Sequence, residues 1–306
     1  MFTRKTRLAA AALPLLLLAL TACNPGVDAS PSASTSATEE SDQSSIPDIE
    51  PDADLAARVP EPIQESGLVI ATSADTPPMT YTADDDTTMV GFDVDMSRAI
   101  AAVLDVDANI RDVGFDTIIP GLQSDRFNMA LASMGVTKER QETVDFVSYY
   151  NGGQGFLAGA DSDYEVSTFE DLCGRRVAVS KGTVQQTTLE DASTLCADAG
   201  LEDWELQAYP DLNQAVLAIK SARSDVLYGS ISIIGYTAEH DDSFRIAGVY
   251  KRALVGIAFL KGSELVPVVQ EAVQHLIDDG TYAEILAKWG LEDNGLETAE
   301  VNNAVS

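Results

Sequence analysis

The stretch Arg176-Val177-Ala178-Val179-Ser180-Lys181-Gly182-Thr183 decides the fold class, because it passes from a short apolar run into a turn. Its first five residues have polar ends and a valine-rich centre, which is typical of a buried β-strand. The residues after the turn, up to about Leu189, are predicted to form a helix. A strand followed directly by a helix is the repeating unit of an α/β protein.

The same alternation continues along the chain in both directions. Leu212, Ala215, Val216 and Ile219 occupy positions i, i+3, i+4 and i+7, which lie on one face of a helix. Further strands are predicted at residues 68–71, 108–112, 129–132 and 225–228, and further helices at 96–104, 117–123 and 265–277. This order predicts an α/β fold with largely parallel sheets.

The N-terminus has the features of a secretory signal. Basic residues precede the apolar run 8–20, which is shorter than the roughly 20 residues that span a bilayer. The following Leu20-Thr21-Ala22-Cys23 resembles the lipobox of bacterial lipoproteins. We therefore expect a signal peptide over residues 1–22 and an acyl (palmitate) anchor on Cys23. An ordinary cleaved signal with a cysteine nearby is the alternative.

Residues 23–62 are expected to form a flexible tether. Serines and acidic residues dominate this segment, so it cannot bury enough apolar surface to offset its ordering entropy. The whole chain has 19 basic and 49 acidic residues and a net charge of −30. This charge argues against nucleic acid and anionic lipid surfaces as partners, which leaves the lipid anchor as the expected membrane contact.

Cys173 and Cys196 remain as a pair if Cys23 carries lipid. Outside the cell such a pair favours a disulfide, and two free buried thiols are the alternative. No CxxC spacing is present, so no metal site is expected.

Catalytic motifs are missing from the sequence, which contains no GxSxG elbow, P-loop or HExxH. The two histidines are expected in a polar loop, for His240, and on the surface of an amphipathic helix, for His275. We therefore expect neither an enzyme activity nor a cofactor.

Two segments that follow predicted strands have features of anion sites. In residues 133–140, Thr137 is a suitable helix N-cap, and Arg140 can donate two parallel hydrogen bonds to a carboxylate. In residues 180–183, Gly182 allows the backbone to approach a ligand at a helix N-terminus, which favours an anion. A solvated surface arginine is the alternative interpretation of Arg140.

A longer set of motifs resembles one family. In chain order the motifs are Gly91-Phe92-Asp93-Val94-Asp95, Phe115-Asp116-Thr117-Ile118-Ile119-Pro120-Gly121-Leu122, Thr137-Lys138-Glu139-Arg140, Val144-Asp145-Phe146 with Tyr149-Tyr150, Lys181-Gly182-Thr183, and Gly280-Thr281-Tyr282 with Lys288-Trp289-Gly290. Together they are similar to the amino-acid-type (family 3) substrate-binding proteins of ABC transporters. Asp171-Leu172-Cys173-Gly174 and the cysteine pair resemble a Gram-positive subgroup.

The resemblance implies a two-lobed α/β fold of the periplasmic-binding-protein type (type II), with mixed sheets flanked by helices. Two crossover strands are expected near residues 155–159 and 255–260. Lobe 1 would comprise residues 63–156 and 254–291, lobe 2 residues 157–253, and a polar tail residues 292–306.

The resemblance also implies a ligand site between the lobes. By the family pattern, Arg140 holds the carboxylate of the ligand. The other expected contacts come from both lobes and are Ser133, Gly135, Phe115, Gly182, Thr183 and Gln185.

Several positions depart from the family pattern. Ser230 replaces the aspartate that usually holds the ligand's ammonium group, and Thr76 replaces an aromatic residue. A hydroxyl cannot balance an ammonium charge as a carboxylate does. The hypothesis is therefore a zwitterion with an unusual nitrogen, or an α-amino acid whose ammonium pairs with another acid such as Asp75.

The implied function is the extracellular solute-binding component of an ABC importer. It would be a monomeric lipoprotein on the outer face of a Gram-positive cell membrane. It would close its lobes around an amino acid or a similar zwitterion and deliver it to permease subunits. A ligand-sensing lipoprotein without a permease, and a dehydratase or lyase on the same fold, are the alternatives.

Overall fold

The computed structural model of the protein describes residues 46, 48–83, 85 and 87–304. The expected signal peptide and Cys23 lie outside these residues, as do residues 24–45 and 47 of the expected tether. Within the described part of the chain, no helix combines the length and the apolar character that crossing a membrane requires.

Strands and helices alternate along most of this part of the chain. The strands are β1 (Leu68–Thr72), β2 (Asp75–Thr76), β3 (Thr80–Thr82), β4 (Met89–Val90), β5 (Ala108–Asp112), β6 (Met129–Ala130), β7 (Val144–Gly159), β8 (Arg176–Ser180), β9 (Glu205–Tyr209), β10 (Val226–Ser230) and β11 (Phe244–Leu260). The α-helices are α1 (Ala53–Ala56), α2 (Glu61–Ser66), α3 (Phe92–Val103), α4 (Ile118–Gln123), α5 (Val184–Asp191), α6 (Leu195–Asp198), α7 (Leu212–Lys220), α8 (Ile231–His240), α9 (Leu265–Asp279) and α10 (Thr281–Lys288).

The larger sheet of the described residues has the strand order β5–β1–β6–β11–β7–β10–β8–β9, and β2, β3 and β4 form a small antiparallel sheet. Pairing is parallel within β5–β1–β6 and within β10–β8–β9. The long strands β7 and β11 lie antiparallel between these two parallel parts. The predicted fold class, two α/β lobes with mixed sheets and two crossover strands, is confirmed.

β7 and β11 pass from one lobe into the other. β11 joins lobe 1 by pairing with β6 at Ala258, and β7 joins lobe 2 by pairing with β10 from Gln154 onward. The crossing therefore lies near Gly153 and its partner Arg252. The segments predicted as crossovers, 155–159 and 255–260, lie on the correct strands but beyond this point.

The helix α9 shows how the apolar pattern places the core of lobe 1. Its buried residues recur every three or four positions and include Val268, Val269 and Leu276. Gly280 follows with a φ of 92° and ends the helix, because glycine adopts the left-handed conformation at low cost. α9 packs against α3 and β7, so its apolar face covers one side of the lobe 1 sheet.

The last part of the expected tether is folded, which corrects the boundary predicted at residue 62. Asp52 caps α1 by accepting hydrogen bonds from the N–H groups of Asp54 and Leu55. Leu55 and Val59 are buried, and α1 packs against α9. The N–H of Asp52 also donates to the carbonyl of Val103 (2.9 Å), and Arg58 pairs with Glu271 (2.6 Å), so apolar, backbone and ionic contacts together dock this segment on lobe 1.

The expected polar tail is also partly docked. Ser148 of β7 donates its N–H to the carbonyl of Glu300 (2.9 Å), and Asn302 donates its N–H to the carbonyl of Phe146 (3.0 Å). Ala299 is only 1% exposed. In lobe 1 the other edge of β7 pairs with β11, so these tail residues satisfy backbone groups on an otherwise open sheet edge.

Three local expectations have definite outcomes. The disulfide between Cys173 and Cys196 is present. His240 is the last residue of α8 rather than part of a loop, and its ring stacks on Tyr236. Thr137 accepts the N–H of Arg140, but the turn that follows is a short 3-10 helix, Arg140–Glu142, rather than an α-helix.

Candidate ligand-binding cleft

A cleft lies between the two lobes and is floored by the crossing strands. Its empty volume, including solvent at the mouth, is about 870 Å³. The expected site residues that line it are Asp75, Thr76, Phe115, Ser133, Gly135, Arg140, Thr183, Gln185 and Ser230.

The guanidinium of Arg140 lies at the junction of the lobes. It donates from Nη1 to the carbonyl of Gly135 in lobe 1 and from Nη2 to the carbonyl of Gly182 in lobe 2, both at 2.9 Å. The ring of Phe115 lies beside it, 5.7 Å from Cζ to the ring centroid. Burial lowers the pKa of Arg140 to about 10, so the side chain keeps its charge at neutral pH.

The loop before Arg140 presents backbone and hydroxyl groups to the same part of the cleft. Ser133 has a φ of 50°, which is uncommon for a residue other than glycine. Its hydroxyl oxygen is buried and has no hydrogen-bond partner among the described residues. Such an unpaired polar atom in a cleft is costly unless a ligand or water satisfies it, so Ser133 is a candidate contact for a polar ligand group.

Direct contacts hold the lobes together on either side of Arg140. Lys181 of lobe 2 pairs with Asp116 of lobe 1 (Nζ–Oδ2, 2.7 Å). The backbone N–H of Leu212 in lobe 2 donates to Oδ2 of Asp75 in lobe 1, also at 2.7 Å. The described conformation is therefore one in which the lobes are in contact across the cleft.

Gly182 does not line the cleft in the expected way. Its N–H donates to the side chain of Gln186 (2.8 Å), and its carbonyl accepts from Arg140. Thr183 caps α5 by accepting the N–H of Gln186 and donates its own hydroxyl to the carbonyl of Ser180. Gly182 thus contributes a contact between the lobes, whereas Thr183 and the buried Gln185 face the cleft.

The departures from the family pattern lie on the cleft wall. Ser230 occupies the N-cap position of α8 and lines the cleft. The hydroxyl of Thr76 donates to the carbonyl of Ser73 (3.0 Å). Asp75 accepts from the hydroxyl of Ser73 at 2.8 Å as well as from Leu212, so its carboxylate is held in place.

Several lining residues were missed by the sequence interpretation. Asp211 is the N-cap of α7 and accepts the N–H of Gln214 (2.8 Å). An acidic residue just before a periodic apolar helix is a cap signal that could have indicated it. Gln154 and Tyr228, which hydrogen-bond to each other through their side chains, come from β7 and β10 and carry no motif.

The cleft wall has more acidic than basic side chains. Among the described lining residues, the acidic and basic side chains are those of Arg140, Asp75 and Asp211. Both carboxylates lie at the N-terminus of α7, where the helix dipole offsets roughly half an elementary charge. The wall therefore suits a ligand with one carboxylate and more than one cationic group.

Comparisons with known proteins agree with this architecture. The family model for bacterial extracellular solute-binding proteins, family 3, matches residues 68–292. The arginine-binding protein ArgT of Corynebacterium glutamicum is 29% identical over 261 residues, which cover 84% of this chain and 84% of the relative. The arginine-binding extracellular protein ArtP of Bacillus subtilis is 31% identical over 233 residues, which cover 74% of this chain and 88% of the relative.

A solved structure is also similar to this chain. The structure of holo ArgBP from T. maritima matches with a TM-score of 0.65 and 27% identity and covers 76% of this chain and 99% of that chain. Because the family model spans well over half of the sequence, the protein belongs to the bacterial extracellular solute-binding proteins, family 3.

Proposed function

We propose that this solute-binding protein captures a cationic α-amino acid for an ABC importer. In this proposal, Arg140 binds the carboxylate of the ligand together with Ser133 and Gly135. Asp75 and Asp211 bind its cationic groups, and Phe115 packs against its apolar part. The observation that carries the proposal is the charge of the cleft wall, where one guanidinium is accompanied by two carboxylates.

The position of Asp75 supports an α-amino acid rather than a zwitterion with an unusual nitrogen. Ser230 leaves the usual ammonium position without a carboxylate. Asp75 lines the same cleft, and two hydrogen bonds fix its carboxylate. Each of its oxygens retains a lone pair after these bonds, so an ammonium group can still be accepted. The relatives named for arginine binding support a cationic ligand.

Calorimetric titration tests the ligand class with a matched pair of ligands. Arginine and citrulline have nearly the same shape, but citrulline has a neutral side chain. We expect arginine to bind at least about tenfold more tightly, because only arginine has a cationic side chain for the cleft carboxylates to bind. A factor of ten corresponds to a difference of about 1.4 kcal/mol in binding free energy. Tighter binding of citrulline, or of glutamate, than of arginine would contradict the proposal.

Variants assign the two ends of the ligand in the same experiment. Arg140→Ala is expected to weaken arginine binding by at least about thirtyfold, since truncating one partner of a buried charge pair costs about 2–5 kcal/mol. Asp211→Asn should weaken arginine more than citrulline. Asp75→Asn should weaken both, because both ligands carry the α-ammonium group that Asp75 accepts. Asp203→Asn removes the same charge from an exposed loop and is the control for long-range electrostatics.

The remaining parts of the proposal concern the anchor and the partners. We propose acylation at Cys23, a position on the outer face of a Gram-positive membrane, a monomer, and delivery of the ligand to permease subunits. The small residues before Cys23 and the resemblance of the cysteine pair to a Gram-positive subgroup support this. Mass spectrometry of the mature N-terminal peptide tests the anchor, and an unmodified cysteine would refute it.

A further inference from the structure

A buried carboxyl group lies behind the loop that contains Ser133. Asp93 is in the first turn of α3 and is fully buried. Its Oδ1 accepts a hydrogen bond from the hydroxyl of Tyr149 at 2.5 Å. Its Oδ2 is buried and has no hydrogen-bond partner among the described residues. Buried acidic groups are normally paired, so this half-satisfied carboxyl group calls for a physical explanation.

The carboxyl group faces the backbone of the ligand loop. The N–H of Ser133 is close enough to Asp93 and Tyr149 to favour the ionised form of each, although Oδ2 of Asp93 has no hydrogen-bond partner among the described residues. On its other side, the loop is held by β11, because Gly256 donates its N–H to the carbonyl of Met134 (3.0 Å). The charge on Asp93 therefore acts on the end of the loop that faces the ligand.

Asp93 is the group in this cluster that changes its charge near neutral pH. Burial raises the pKa of Asp93 to about 7, although the hydroxyl of Tyr149 and the N–H of Ser133 favour its ionised form. Burial also raises the pKa of Tyr149 well above its usual range and that of Tyr150 to about 12, so both phenols stay neutral. On α3 itself, Asp95 is paired with Lys288.

The adjacent helix α10 adds a neutral contact to the same cluster. Its Tyr282 donates its hydroxyl to the carbonyl of Tyr149 at 2.7 Å. Burial raises the pKa of Tyr282 as well, so this phenol also stays neutral near pH 7. The groups that surround Asp93 from β7, α10 and the Ser133 loop are thus uncharged when Asp93 titrates.

We propose that Asp93 is a positioning residue that takes up a proton when the ligand binds. When Asp93 is ionised, its negative charge attracts the Ser133 N–H away from the cleft. When Asp93 is protonated, that N–H is free to turn toward the carboxylate at Arg140, and the negative charge behind the site is gone. The inference rests on the proposed function only in that the ligand carries a carboxylate at Arg140.

The direction of the pH effect follows from the loss of the negative charge on Asp93 and from the release of the Ser133 N–H. A bound carboxylate favours the protonated form of Asp93, because it removes a like charge and uses the released N–H. By linkage, protonation of Asp93 then favours binding by the same factor. We therefore expect the affinity to increase as the pH falls through about 7, by at most about tenfold per pH unit, which is the limit for one proton.

Calorimetry with arginine tests this coupling from about pH 5.5 to about pH 7.5, below the range in which the α-ammonium group of arginine loses its proton. Titration in two buffers with different ionisation enthalpies counts the protons that are taken up. We expect uptake of up to about one proton per ligand near pH 7 in the unmodified protein. Asp93→Asn, which resembles the protonated form, should bind with pH-independent affinity and without proton uptake.

Tyr149→Phe provides an independent variant in case Asp93→Asn does not fold. It removes a hydrogen bond that stabilises the ionised carboxylate, so the midpoint of the pH profile should move to higher pH. A purely structural role of Tyr149 would weaken binding equally at every pH. His240→Gln and His275→Gln change the only two histidines and should leave the profile unchanged.

Three outcomes separate this inference from the proposed function. Binding of arginine with a pH-independent affinity and no proton uptake would overturn the role of Asp93 and leave the ligand class intact. The same holds if Asp93→Asn retains the pH dependence. Failure of arginine to bind at any pH would instead refute the proposed function.

Discussion

At the scale of single residues, Gly182 determines how closely lobe 2 can approach lobe 1. It has a φ of 75°, and a Cβ at this position would lie 3.0 Å from Cβ of Asp116 in lobe 1. Gly182→Ala therefore adds a clash that exists only when the lobes are in contact. Overpacking of this kind costs about 1–3 kcal/mol, so we expect arginine to bind about five- to 150-fold more weakly.

Gly200→Ala is the matched control for this substitution. Gly200 has nearly the same φ, 72°, but no atom lies within 4 Å of a Cβ placed there. Both substitutions carry the same backbone penalty of about 1–2 kcal/mol in folding stability. Chemical denaturation should show this shared loss, while calorimetry should show weaker binding for Gly182→Ala alone. Equal affinities of the two variants would show that Gly182 does not limit lobe contact.

The sequence predicts residues whose role follows from a local motif. Arg140 was expected at the cleft from its motif, and the structure places its guanidinium there. Asp93 belongs to one of the motifs that resemble the family, and it lies in the first turn of α3. Its burial against Tyr149, 56 residues away, depends on the packing of β7 on α3. Local sequence carries no information about such a contact.

At the scale of elements, the helices and strands that have a local sequence signal were predicted, and the features that depend on contacts between distant segments were missed. β8 and α7 were predicted within a residue of their observed bounds, because a valine-rich run and a 3.6-residue period are local signals. β7 and β11 were not recognised as strands of 16 and 17 residues. Their two halves pack in different lobes, and an alternation of burial does not show where a strand changes neighbours.

The docked tail residues lead to a prediction about the stability of lobe 1. A chain that ends at residue 296 loses two backbone hydrogen bonds to β7, the bond from the N–H of Phe146 to Asn302, and the bond from Gln270 to Ala299. Each such bond contributes about 0.5–1.5 kcal/mol. We therefore expect the free energy of unfolding in urea to fall by about 2–4 kcal/mol, since some of these groups become hydrated instead.

A chain that ends at residue 304 keeps all of these contacts and is the control for truncation itself. Neither truncation removes a residue that lines the cleft, so the affinity for arginine should be the same in both folded proteins. If the chain that ends at residue 296 were as stable as the control, the tail would contribute no net free energy to folding. A shorter chain with weakened binding would show that the tail acts on the cleft.

At the scale of the whole molecule, the crossing strands separate two depressions that both lie between the lobes. One is the ligand-binding cleft. The other, which we call the hinge-side groove, is lined by Tyr81 of lobe 1, Tyr236 and Gly235 of lobe 2, and Gly153 and Arg252 at the crossing. The rings of Tyr81 and Tyr236 face each other with centroids 6.3 Å apart. The crossing strands lie between the cleft and the hinge-side groove. A rotation of the lobes about these strands that widens the cleft must therefore narrow the groove.

Filling the hinge-side groove should therefore favour the conformation in which the lobes are in contact. Gly235 lies within α8, and a Cβ at this position meets no atom within 4 Å in the present conformation. The ring of Gly235→Phe has room there but would clash when the groove narrows. The apparent dissociation constant is the intrinsic one divided by the fraction of molecules in the binding-competent conformation. We therefore expect tighter arginine binding and a smaller ligand-free radius of gyration in X-ray scattering.

Gly235→Ala shares the gain of about 1 kcal/mol in helix propensity without filling the groove, and it should change neither quantity. Weaker binding by the phenylalanine variant would mean that the lobes do not pivot about the crossing strands.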